Sequence, residues 1–400
     1  MLFFILNLTL CNHTKKLKMV PQPDPTLQYY HLGDFELQSG EILPSAFVAY
    51  RTYGSPTNPC ILYPTWFSGK IVAGNEWLIS TPEHPHRRAL DPARYFIVVP
   101  ALFGNGESSS PSNTSGPRGG AHLPKTTFYD NVRAQHTLLT VGLGITDQIA
   151  VVGWSMGAAQ TFQWASQYPD MVKLAVPFCG AARTSLHNWV FLEGIKAALL
   201  ADKAGYRQGQ YLKETGEQPQ IGLRAFGRVY AGWGFSQTFY REKVYERQMG
   251  IRGLEEFMVQ FWDSWALGLD ANDVLHMMWT WQNGDIAAQP LYAGESRLES
   301  ERLTDRGFGK PGAGDKEDEL AFERALKGIR AKVLIMPCRT DLYFPPEDSQ
   351  IEKDYLGEKA ELKVIESIWG HFAGGPGDSE VDAQFIDGAI YVSVVSGTQR

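Results

Sequence analysis

The chain is poor in cysteine, with four in 400 residues (Cys11, Cys60, Cys179 and Cys338), no C-x-x-C pair and no Cys/His cluster. That argues against a disulfide framework and against structural zinc, and it suits a reducing, cytoplasmic compartment. Cys60, Cys179 and Cys338 lie in or beside apolar runs, where cysteine serves as a small buried hydrophobe. Basic blocks are missing too. Against 44 acidic residues stand 37 basic ones, a net charge of −7 without any Lys/Arg stripe, so no nucleic-acid partner is expected. The apolar run Met1–Leu10 is too short to span a bilayer, and Lys15 and Lys16 follow it, whereas a signal peptide carries its charge first. No membrane association is expected, and residues 1–30 read as a disordered extension. Asn7, Asn12 and Asn113 open glycosylation-type triplets, which also arise by chance, so secretion is the lesser reading.

What is present is apolar substance. A 44% apolar and 12% aromatic composition over this length supports one large domain with an elaborate insertion. The organising stretch runs from Asp147 to Cys179. Ile149, Ala150, Val151 and Val152 have the continuous apolarity of a buried parallel strand. Gly153-Trp154-Ser155-Met156-Gly157 follows at once, then a helix from Ala158 to Tyr168 and a second buried strand from Met171 to Phe178. Strand, G-x-S-x-G, helix is the context of a nucleophile elbow, in which a strained turn presents the serine and a Cβ on either glycine would collide with its neighbours. A Gly/Ser turn that merely packs would not explain a serine placed at the carboxyl end of a strand, where open α/β sheets bind ligands. Ser155 is the candidate nucleophile.

The remaining pattern is α/β: a mostly parallel twisted sheet with helices on both faces and a helical cap. Phe35–Leu37 and Phe47–Tyr50 read as a hairpin turning at Ser39-Gly40-Glu41, and Cys60–Tyr63 and Tyr95–Val99 as buried strands. The loop Thr65-Trp66-Phe67-Ser68-Gly69 stands where such folds supply one oxyanion-hole N–H, the other coming from Met156. Residues 101–124, rich in Gly, Ser, Asn and Pro, read as a flexible rim; Gly104-Asn105-Gly106 lacks the lysine and the helix of a phosphate loop. Val132, His136, Leu139 and Leu143 mark a helix leading to the elbow strand.

Residues 31–182 and 331–400 read as the two parts of the core, and 183–330 as the cap, which holds six of the eleven tryptophans. Helices are expected at Asn188–Ala204, Leu223–Met249, Gly253–Leu267 and Asp270–Trp281, the last N-capped by Asp270. The aromatics form the cap's own core or, alternatively, an apolar acyl pocket; His187 and His276 read as surface or pocket-lining residues. Gly307–Lys316 reads as a linker. Beyond it come a strand at Lys332–Met336, Asp341 on a loop, a helix from Glu347, a final strand at Leu362–Ile365, His371 on the next loop and a closing helix through Phe385, Ile386, Ala389 and Ile390.

Ser155, Asp341 and His371 thus fall on one edge of the sheet, in the chain order of α/β-hydrolases. A serine hydroxyl needs a base within reach, and an acid must hold the imidazole tautomer. Asp348 is the competing acid, but it lies inside the following helix. No metal, nucleotide or other cofactor is needed; acetyl-CoA is a possible co-substrate.

Several segments resemble homoserine O-acetyltransferases: Val48-Ala49-Tyr50-Arg51-Thr52-Tyr53-Gly54, Ala89 to Phe96, Val132-Arg133-Ala134-Gln135, Gly157 with Tyr168-Pro169-Asp170-Met171-Val172, Asp270-Ala271-Asn272, Asp341 with Phe344-Pro345-Pro346, and Gly370-His371. The resemblance spans Phe35 to Phe372 and implies an α/β-hydrolase core, a helical cap, often a homodimer through that cap, and ping-pong acyl transfer through the serine. The departures bear on substrate. Trp154 stands where the acetyltransferases have glycine, Phe372 where they have an aspartate that meets the substrate's amino group, and Leu102-Phe103-Gly104-Asn105-Gly106 replaces a cysteine-containing loop. A phenyl ring does not replace a charge-assisted contact. The expectation is therefore a serine hydrolase or acyltransferase for a small apolar ester or thioester, with Phe67, Trp154 and Phe372 against a substrate bulkier and less polar than an amino acid, as in secondary metabolism. A non-hydrolytic ligand-binding homologue is the second class, and a structural protein the third.

Overall fold

The structure, a computed structural model, describes residues 26–211, 217–292, 316–376 and 378–398. Cys11, the charged pair Lys15-Lys16, the sequons at Asn7 and Asn12 and nearly all of the Gly307–Lys316 linker lie outside them. One eight-stranded sheet runs through the molecule: β1 Gln28–Glu36, β2 Ile42–Tyr53, β3 Cys60–Leu62, β4 Phe96–Pro100, β5 Ile149–Trp154, β6 Val172–Phe178, β7 Lys332–Ile335 and β8 Ala360–Leu362. Their spatial order is β1-β2-β4-β3-β5-β6-β7-β8. The expected hairpin forms β1 and β2, antiparallel at one edge; β2 is antiparallel to β4, and all later neighbours are parallel.

Alternation decides which face each side chain serves. Ile61, Ile97, Val99, Ala150 and Val152 enter one apolar layer, while Cys60, Leu62, Val98, Ile149 and Val151 enter the other. Both faces are thus covered, which is why β4 and β5 read as unbroken apolar runs and are buried throughout. The principal helices are α1 Phe128–Thr137, α2 Met156–Gln167, α3 Leu186–Leu200, α4 Gln220–Gly234, α5 Ala271–Gln282, α6 Lys316–Gly328, α7 Pro346–Leu356 and α8 Glu380–Thr398. Helix α1 opens on a capping box: the Thr127 hydroxyl accepts from the Asp130 N–H, and the Asp130 carboxylate accepts from the Thr127 N–H. Helix α5 starts as expected at Asp270, whose carboxylate accepts from the N–H groups of Asn272 and Asp273.

Helices α3 to α5 and the helical turns between them are inserted between β6 and β7, and their apolar residues are not a separate core. Phe191, Phe226, Trp262 and Trp281 belong to the same cluster as Ile61 and Val152 of the sheet. Among the described residues no helix is long and apolar enough to cross a membrane.

Two expectations need correction. The helix read across Leu223–Met249 is broken into α4 and short turns at 237–241 and 244–247. Phe235 and Ser236 are extended, Ser236 caps the next turn by accepting from the Phe239 N–H, and Lys243 has φ of +52°. Helical spacing of apolar residues persists across such a break, so periodicity alone did not reveal it; Gly232, Gly234 and the capping serine were the signal. The last strand forms at Ala360–Leu362 rather than Leu362–Ile365, because Ile365 makes only an isolated bridge with Cys338.

Candidate active site

The G-x-S-x-G segment folds as a tight strand-to-helix turn. Ser155 has φ +58° and ψ −123°, a strained conformation for any residue with a side chain. A Cβ on Gly153 would overlap the Gly157 carbonyl, and one on Gly157 would come 3.0 Å from the Pro64 carbonyl oxygen. Gly153 is therefore closed to a side chain and Gly157 is tight for one; Gly153→Ala is expected to yield mostly insoluble protein, checked by soluble yield.

His371 and Asp341 arrive from loops beyond the carboxyl ends of the later strands. Ser155 Oγ lies 2.9 Å from His371 Nε2, and His371 Nδ1 lies 2.8 Å from Asp341 Oδ2. The other carboxylate oxygen of Asp341 accepts from the N–H groups of Tyr343 and Phe344 at 3.1 and 3.2 Å. These bonds fix the carboxylate, and all three residues are buried. Asp348 opens α7 and has no contact with the imidazole; the partner is Asp341.

The loop after β3 packs directly on the elbow. The Gln160 side-chain amide donates to the carbonyls of Thr65 and Met156, tying that loop to the first turn of α2. The backbone N–H groups of Trp66 and Met156 have no acceptor among the described residues. Met156 is also at the helix N-terminus, where the backbone dipoles favour negative charge.

The loop at 101–124 is pinned rather than an open rim. Asn105 is buried and donates to Thr65 Oγ1 and the Gly69 carbonyl; its own carbonyl accepts from Lys70, and Ser108, Ser109 and Ser110 are all buried in backbone hydrogen bonds. Gly104-Asn105-Gly106 therefore anchors the segment that carries Trp66. Asn113, the one sequon asparagine among the described residues, is engaged within this loop through its side-chain amide, which donates to the Gly106 and Ser108 carbonyls.

Of the three residues expected to line a substrate pocket, Phe372 keeps exposed surface; Phe67 and Trp154 are 2% and 1% exposed. Phe67 is packed among Phe226, Tyr230 and Trp281, and Trp154 lies against His371 and Trp66. Both rings are thus held by packing against neighbouring aromatics. Phe372 stacks on Phe235 with ring centres 4.4 Å apart. His187 is exposed, as read, but His276 is core. Its Nε2 is 2.8 Å from Thr126 Oγ1, and burial pushes its pKa well below the usual value, so the ring is neutral. Nothing in the sequence signals this beyond its place on α5. Among the described residues there is no cluster of His, Cys, Asp or Glu able to hold a metal.

Elsewhere, the Ala182 N–H donates to Glu352 Oε1 at 2.6 Å, while Oε2 is buried without a partner among the described residues. Burial pushes this carboxyl up to about 8. The native state then holds a proton that the unfolded chain releases from about pH 4.5, so this contribution is complete below that pH and is lost as pH rises through 8. Glu352→Gln should flatten the fall in stability between those limits, raising the melting temperature at pH 8 by a few degrees relative to wild type while changing little at pH 5. Parallel thermal melts at the two pH values check this.

Comparison with known proteins agrees with the geometry. Residues 83–375 match the family described as alpha/beta hydrolase fold. The chain is 32% identical over 360 residues to an ethyl acetate hydrolase of Pseudomonas veronii, covering 89% of this chain and 91% of that protein. It superposes with a TM-score of 0.77 on the crystal structure of an acetylester hydrolase from Corynebacterium glutamicum, at 31% identity over 91% of this chain and 95% of that one. A homoserine O-acetyltransferase of Zymomonas mobilis is 31% identical over 261 residues, covering 56% of this chain and 69% of that enzyme. The resemblance read from the sequence therefore holds, with esterases matching over more of the chain. The chain belongs to the alpha/beta hydrolase fold family, as an enzyme of that type and a divergent relative of the homoserine O-acetyltransferases.

Proposed function

We propose that the protein is a serine esterase that hydrolyses short-chain acyl esters through an acyl-enzyme on Ser155. The observation that carries this reading is the unbroken hydrogen-bond chain from Ser155 through His371 to Asp341 at a strained elbow. Ser155 Oγ attacks the ester carbonyl as its proton passes to His371 Nε2, and Asp341 holds Nδ1–H and stabilises the imidazolium. The oxyanion receives the N–H groups of Met156 and Trp66. Collapse breaks the bond to the alkoxy group, which leaves with the proton from His371. Water then attacks the acyl-serine, His371 taking its proton and returning it to Ser155 as the carboxylic acid departs.

The choice of a short acyl group rests on how the space is filled. Phe67 and Trp154 are buried in ring contacts, and the cap aromatics around Tyr230 pack against one another and against Phe67. This narrows the expected small apolar ester to one with a short acyl group. Phe372, stacked on Phe235, offers no charge to an amino group. Relatives that hydrolyse ethyl acetate and acetyl esters support the same choice.

Acyl transfer to an alcohol is the second reading, favoured by the acetyltransferase relatives. A p-nitrophenyl ester series from acetyl to octanoyl, run with and without homoserine, tests both. Expected is kcat/KM highest at acetyl or propionyl and at least tenfold lower at octanoyl, with released acetate unchanged by homoserine. O-acetylhomoserine as the main product would establish transfer instead.

A further inference from the structure

Trp154 ends β5, directly before the nucleophile, and faces Phe178 across the ladder. Among the described residues its indole N–H has no hydrogen-bond partner, so packing orients the ring. Two segments supply that packing. From one, Trp66 meets it edge to face at 4.4 Å; from the other, Phe372 meets it at 6.3 Å and the backbone at Gly374 and Gly375 lies against it. A Cβ at Gly374 would stand 2.5 Å from the indole Cδ1, and one at Gly375 would stand 2.8 Å from Cε3. The indole's fourth neighbour is the imidazole of His371, stacked with ring centres 5.0 Å apart and planes 26° apart.

The two hydrogen bonds of His371 do not define its orientation by themselves. They leave from nitrogens on opposite sides of the ring, so the imidazole could still turn about the line that joins its partners. A flat ring stacked on the imidazole removes that rotation. Tyr343 and Phe344 add ring contacts at 4.5 and 5.5 Å, but their planes are tilted by 43° and 37°. Trp154 lies closest to parallel with the imidazole of the three.

We propose that Trp154 is a positioning residue for the general base: braced by Trp66 and by Gly374-Gly375, its indole holds the His371 ring in the plane that serves Ser155. The inference rests on the acyl-enzyme reading of the site and concerns a residue that never touches the reacting atoms. Because its action passes through His371, its loss should appear in kcat and not in KM, and should have no consequence where His371 is absent.

The experiment compares Trp154→Leu and Trp154→Phe in the wild-type chain and in a His371→Ala background, with p-nitrophenyl acetate as substrate and Ser155→Ala as the control for the site. Expected is a fall of about 30-fold in kcat for Trp154→Leu with KM within threefold, since small misplacements of a catalytic group cost one to two orders of magnitude. Trp154→Phe, which restores a flat ring, should recover to within about fivefold of wild type. In the His371→Ala background, Trp154→Leu should change the residual rate by less than twofold. An equal loss with and without His371, or a loss confined to KM, overturns the positioning role. If both Trp154 variants fail to fold while Gly374→Ala, which would press on the same indole, folds with full kcat, the role is likewise overturned. Undiminished turnover in Ser155→Ala would instead overturn the acyl-enzyme reading itself, so the two failures are distinguishable.

Discussion

Ser155→Ala is expected to lower kcat for p-nitrophenyl acetate by about 10⁵-fold and to leave the melting temperature within a few degrees of wild type. The size follows from the chemistry. Without the hydroxyl no acyl-enzyme forms, and what remains is whatever acceleration the oxyanion donors provide to direct attack by water. The small effect on stability follows from the backbone. Alanine has the same Cβ as serine, so the strain at φ +58° is unchanged, and the lost contact is the 2.9 Å bond to His371. Steady-state kinetics with a thermal melt on the same preparation checks both halves. Turnover within tenfold of wild type would remove Ser155 from the mechanism.

Asp341→Asn is expected to cost about 10³- to 10⁴-fold in kcat, more than its near-identical shape suggests. Asp341 Oδ1 is held by the N–H groups of Tyr343 and Phe344, so an asparagine keeps its carbonyl oxygen there and turns its NH₂ toward His371. That amide donates where the carboxylate accepted. It therefore favours the imidazole tautomer with hydrogen on Nε2, which cannot take the proton of Ser155. A loss under tenfold, measured at saturating substrate, would mean that the carboxylate does not set the tautomer.

The elbow was legible in the sequence because its determinants are local: an apolar run, two flanking glycines, and a helix that follows at once. Asp341 and His371 were legible for a similar reason, since each follows an apolar strand and strand ends of a parallel sheet share one edge. The features missed depend on contacts between distant segments. Nothing near Trp154 in the chain announces that Trp66, Gly374 and Gly375 converge on it, and a tryptophan beside a nucleophile reads as pocket wall until its burial is known. Asn105 reads as loop composition, yet it is buried and ties two loops together. The break at Phe235-Ser236 was hidden because apolar spacing continues through it, whereas Ser236 also donates to the Ile368 carbonyl and so joins the cap to the His371 loop.

The central claim, that the acyl group passes through Ser155, is tested most directly by intact-mass spectrometry of wild type and Ser155→Ala after rapid acid quench, exposed separately to p-nitrophenyl acetate and to acetyl-CoA. The account predicts one added acetyl group on the wild type from the ester, mapped to the Ser155 peptide, none on the variant, and none from acetyl-CoA. Acetylation of both proteins alike, or of neither while the wild type turns over, would contradict it.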